Sequence, residues 1–90
     1  MDKNTILSRK PGLMTADMNG ATVMMDIETG KYYNIGDVGG RIWELLDSPM
    51  TFSKLIDALT KEYSVSAEQC EKDTVPFLSS LLERGLLLSK

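Results

Sequence analysis

Met14-Thr15-Ala16-Asp17-Met18-Asn19-Gly20-Ala21-Thr22-Val23-Met24-Met25-Asp26-Ile27 is the stretch that decides the fold. Before Asn19-Gly20 the apolar residues fall on alternate positions. After it the alternation resumes with Ala21, Val23, Met25 and Ile27 on one side and Thr22 and Asp26 on the other. Period-two alternation on both flanks of an Asn-Gly pair is the strongest short hairpin signal, because both turn residues tolerate positive φ. A second turn, Glu28-Thr29-Gly30-Lys31, leads into Tyr32-Tyr33-Asn34-Ile35 and completes a meander of three antiparallel strands.

Beyond the meander the period becomes helical. Val38, Ile42, Leu45 and Leu46 share one face, with Trp43 beside them and Asp37 as the expected cap. Asp47-Ser48-Pro49 closes that helix. Thr51 caps a second, with the stripe Phe52, Leu55, Ile56, Leu59 and Tyr63. Ser66 and Gln69 form a capping box for a third, with the stripe Ala67, Cys70, Phe77, Leu78, Leu81 and Leu82. Gly85 stops it, and Leu86-Leu87-Leu88 is expected to fold back on the core. Residues 1–12, with Lys10-Pro11-Gly12, read as a flexible lead-in to one domain over 13–90. The expected class is α+β and winged-helix-like, a three-stranded antiparallel sheet followed by three α-helices.

Ninety residues, 42% apolar and 26% charged, suit one globular domain and not a disordered chain. The chain has no histidine, and Cys70 is its one cysteine. That excludes an internal disulfide, Cys/His zinc sites, and Ser-His or Cys-His catalysis. No catalytic residue, metal or cofactor is assigned, and the chain is read as a binding protein, not an enzyme. No signal-peptide run or membrane span is present, which makes the cytoplasm the expected location.

The third strand, Lys31-Tyr32-Tyr33-Asn34-Ile35, has one lysine, no proline and two strand-favouring aromatics. An edge so lightly blunted is open to an added strand, in which main-chain hydrogen bonds give affinity and side-chain pockets give specificity. The competing reading makes Tyr32 and Tyr33 half-buried sheet residues under the third helix. Pro76 lies inside that helix and is expected to bend it. A bend there opens a groove floored by Cys70, Thr74 and Phe77 and rimmed by Asp73; the plainer alternative is a packing kink.

Tyr32-Tyr33-Asn34-Ile35-Gly36-Asp37-Val38-Gly39-Gly40-Arg41-Ile42-Trp43-Glu44-Leu45-Leu46-Asp47 resembles the central signature of PqqD-like proteins, the leader-recognition elements of ribosomally made, modified peptides. The similarity continues through Thr51, Leu55–Leu59 and Tyr63. It ends with Asp73-Thr74-Val75-Pro76-Phe77-Leu78 and Leu81-Leu82-Glu83-Arg84-Gly85-Leu86-Leu87, covering nearly everything from Leu13 onward. The Val38–Trp43 segment looks most like the free-standing version of lasso-peptide pathways. Two positions depart from the family: Gly36 stands where asparagine is common, and Pro76 is unusual. The resemblance implies that a precursor's leader adds as a further antiparallel strand beside the third strand and packs on the third helix. Carried over, Lys31, Tyr32, Tyr33 and Asn34 would supply the edge, Cys70, Thr74 and Phe77 the apolar pocket, and Asp73 a polar contact. It also implies partners: the precursor peptide, a leader peptidase of the cysteine-protease type, and a cyclase.

Three alternatives stay open. One is a carrier of the PQQ precursor for a radical enzyme; another is a structural subunit of an obligate enzyme partner. The third is a winged-helix DNA-binding protein, which needs a basic reading helix. Here Lys54 and Lys61 are offset by Asp57 and Glu62, while Lys72 and Arg84 face Glu68, Glu71, Asp73 and Glu83. The net charge of −3 gives no basic field, so neither nucleic acid nor membrane is an expected partner.

Overall fold

The computed structural model describes residues 1–90. In chain order it comprises β1 (Ile6–Arg9), β2 (Leu13–Met18), β3 (Ala21–Asp26), β4 (Tyr32–Ile35), α1 (Gly36–Leu45), β5 (Met50–Thr51), α2 (Phe52–Tyr63), α3 (Ala67–Glu83) and β6 (Leu87–Ser89). The expected meander is present as an antiparallel sheet in the order β2-β3-β4. β2 and β3 pair from Leu13↔Asp26 to Met18↔Ala21. Asn19 (φ 58°) and Gly20 (φ 84°) both take the positive φ that a type I′ turn requires.

The register assigns the two faces. Met24, Tyr33 and Thr15 lie on the inner face, where Met24 is fully buried. Met14, Met18, Val23, Met25 and Tyr32 lie on the outer face, which no helix covers, so Met14, Met18 and Tyr32 stay exposed. The core inside is one cluster of α1, α2 and α3 residues with Leu46, closed by Met24 of β3 and by Leu7, Leu86 and Leu87.

A second sheet, β5-β1-β6, was not expected. Residues 1–12 are therefore not a loose lead-in: Ile6–Arg9 is the central strand of that sheet, and Leu7 is fully buried. β1 pairs with β6 through Leu7↔Ser89, Ser8↔Leu88 and Arg9↔Leu87, and with β5 through Ile6↔Thr51 and Leu7↔Met50. Such partners lie in the middle and at the far end of the chain, and a local pattern of four residues carries no trace of them. The return of Leu86-Leu87-Leu88 onto the core is as expected, with Leu86 and Leu87 buried. Arg9 fixes this layer to α1: its guanidinium lies over the Trp43 ring, donates to the Trp43 carbonyl and pairs with Asp47 at 3.3 Å. Lys10 joins the two sheets by donating to Asp26 at 3.1 Å. That hydrogen bond holds the buried Asp26 carboxyl below the usual carboxylate range.

Helix capping follows the sequence at two of three starts. Thr51 accepts from the Lys54 N–H at 3.2 Å and Ser66 from the Gln69 N–H at 3.1 Å. The return half of the Ser66 capping box is not made, because the Gln69 side chain donates to Asp73 instead. Asp37 does not cap α1, since the helix already begins at Gly36 and Asp37 sits in its first turn. The Asn34 side chain accepts from the Gly36 N–H at 3.0 Å and turns the chain into the helix. Val38, expected on the core face of α1, stays largely exposed, while Gly39, Gly40, Ile42 and Trp43 are buried. α3 runs unbroken through Pro76, which lies on its exposed side.

Gly40 sets how closely α1 approaches β3. A β-carbon built there overlaps the Thr22 hydroxyl and comes within 2.7 Å of its Cβ. Glycine to alanine inside a helix ordinarily stabilises by about 1 kcal/mol. At this position the overlap forces the helix off the sheet, and overpacking costs about 1–3 kcal/mol. Urea unfolding of Gly40→Ala should therefore show a net loss of stability, whereas a gain would mean that α1 and β3 are not packed this closely.

Candidate functional site

β4 pairs with β3 on one side and with nothing on the other. The Asp26 N–H donates to the Lys31 carbonyl at 2.9 Å, which makes 26/31 a hydrogen-bonded pair. Antiparallel ladders alternate, so Met24/Tyr33 is the next such pair, and Tyr33 spends its backbone groups on β3. The N–H and C=O of Tyr32 and Asn34 therefore point to the open edge.

That edge borders a groove of about 330 Å³ between β4 and α3. Tyr32, Tyr33, Asn34 and Ile35 form the strand wall; Phe77, Ser80, Leu81 and Arg84 form the helix wall. The helix residues follow the i, i+3, i+4, i+7 spacing of a single face. Phe77 is placed by Gly39: a β-carbon there would come within 2.9 Å of the Phe77 ring and 3.1 Å of Ile35. The absent side chain on α1 is what lets the ring lie at the floor of the groove. At the other end the Arg84 guanidinium stands 5.4 Å from the centre of the Tyr33 ring.

The eight residues singled out in the sequence do not meet in a single pocket. Tyr32, Tyr33, Asn34 and Phe77 line the groove. Lys31 is exposed in the turn before it, its N–H bonded to the Thr29 hydroxyl at 3.3 Å. Cys70, Asp73 and Thr74 line a second cavity of about 210 Å³ near the start of α3, together with Val38, Leu59, Tyr63 and Val65. Cys70 and Thr74 are buried there, with Sγ and Oγ1 3.8 Å apart. The two cavities follow one another along α3, because Asp73 and Thr74 lie one turn before Phe77. Ser80 and Arg84 were not among the sequence candidates, though their spacing from Phe77 was available to find them.

A family model described as coenzyme PQQ synthesis protein D (PqqD) matches residues 21–87. The chain belongs to the PqqD family. The resemblance drawn from residues 32–47 onward is thereby borne out. Two solved structures are similar to this PqqD-family chain. One, of TbiB1 in complex with the TbiA(beta) leader peptide, is 31% identical over 89% of this chain and 93% of that one, with a TM-score of 0.76. The other, of a lasso peptide synthetase B1 complexed with the leader peptide, is 28% identical over 91% and 96%, with a TM-score of 0.73. Both bear out the α+β class. No curated protein sequence matches this chain. No helix of this family member is long and apolar enough to cross a membrane.

Proposed function

We propose that this chain is a recognition element for a ribosomally made, modified peptide of the lasso type. It binds the precursor's leader as an extra strand on β4, packed against α3, and delivers it to a cysteine-protease-type leader peptidase and a cyclase. The observation that carries this reading is the unpaired edge of β4 opening onto the α3 groove, in a fold similar to that of TbiB1, whose structure holds a leader peptide. Tyr32 and Asn34 offer main-chain hydrogen bonds, and Phe77 and Leu81 the apolar floor. An antiparallel guest runs its N-terminal part past Ile35 toward α1. The cavity of Cys70, Asp73 and Thr74 then takes a side chain from the segment before the added strand. The chain performs no chemistry itself: by holding the leader it raises the substrate's effective concentration at the peptidase. It acts in the cytoplasm, where precursors are synthesised and where the free Cys70 thiol stays reduced.

The family description favours one second reading, a PQQ-precursor carrier. A fluorescence titration with lasso-type leaders, a PQQ precursor and a scrambled control separates the two. Saturable micromolar binding of a lasso-type leader alone is the expected result. Binding of the PQQ precursor alone selects the second reading, and binding of neither by folded protein refutes both.

A further inference from the structure

The chain has three arginines, and two are neutralised by their surroundings. Arg9 pairs with Asp47, and Arg41 with Glu44 and Glu62. Arg84 has no carboxylate within ion-pair distance. Its contact is the Tyr33 ring, and it is the one charged side chain lining the β4–α3 groove. A guanidinium held over an aromatic face keeps its planar fork of donors free at a defined place. An uncommitted fork beside an open strand edge is suited to a carboxylate, which it can bind through two parallel charge-assisted hydrogen bonds.

We infer that Arg84 captures an Asp or Glu side chain of the bound leader, and that this contact fixes the leader's register and direction. The inference rests on the reading of the groove as a leader site. A guest continuing the antiparallel order of β2-β3-β4 ends its paired stretch beside Tyr32 and begins it beside Ile35. Arg84 stands at the Tyr33 end, so the carboxylate belongs to the C-terminal half of the bound stretch. Its side chain points to the same face as Tyr33, toward α3. Asp73 lies 11 positions earlier on α3, about 16 Å along the helix axis, and carries the opposite sign. At about 3.4 Å per extended residue, that separation corresponds to roughly five leader residues. A reversed guest would bring its carboxylate toward Asp73 and meet like charge.

The test uses the full chain and the leader peptide that binds in the titration, scanned with Glu and Lys at each position. Arg84→Glu should weaken the unmodified leader roughly tenfold or more, with native circular dichroism, and Arg84→Lys should keep part of the affinity. One acidic leader position, changed to Lys, should weaken binding to the unaltered protein and restore it to Arg84→Glu. Arg84→Glu binding within twofold of the unaltered protein would overturn the inference, as would leader charge changes that act independently of Arg84. In either case leader binding itself stands. If no leader binds at all, the function and this inference fall together.

Discussion

Phe77→Asp is expected to abolish leader binding, a loss of at least roughly 100-fold, while circular dichroism stays native. Phe77 lies at the floor of the groove against the Gly39 backbone, and an apolar leader side chain seated on it would be shielded from water. A carboxylate in that place is desolvated on binding, and the nearest cation on the groove wall, Arg84, is two helical turns away. The fold survives because Phe77 packs at the margin of the core and is not one of its fully buried members. Phe77→Leu should hold affinity within a few-fold, which separates loss of the apolar floor from loss of the ring. Binding that persists in natively folded Phe77→Asp would move the leader away from this groove while leaving the family assignment in place.

The distinction between floor and core also shows what was legible in the sequence. The β2–β3 hairpin was plain because Asn19-Gly20 and the alternation around it are local signals, and the Thr51 and Ser66 caps were plain for the same reason. β1 was not, because Leu7 is buried only through partners at residues 50–51 and 87–89. The groove was half legible. The spacing of Phe77, Leu81 and Arg84 puts them on one face, but spacing alone does not say whether that face meets a neighbouring strand or a neighbouring helix. Cys70 and Thr74 lie on the same side of α3 as Phe77 and yet open into a different cavity. Val38 and α2 lie against the first part of α3, and β4 against the second. Where a helix changes neighbours along its length, one apolar stripe becomes two sites.

A proline at position 32 tests the strand-addition step apart from the groove. The Tyr32 N–H points to the open edge and is not used by β3, so proline removes a donor only a guest strand would use. The Tyr32 side chain is 71% exposed on the outer face, so its loss costs the core nothing. Tyr32→Ala keeps the N–H and removes the ring, and serves as the reference. Relative to it, Tyr32→Pro leaves a buried leader carbonyl unsatisfied, at about 1–3 kcal/mol, and its ring holds the guest backbone away from the edge. Tyr32→Pro should therefore bind the leader roughly 10- to 100-fold more weakly than Tyr32→Ala, with both variants unfolding in urea at similar midpoints. Equal affinities would mean that the leader lies in the groove without joining the sheet. Recognition would then rest on side chains alone, with affinity tracking Phe77 and Arg84 and indifferent to the backbone of β4.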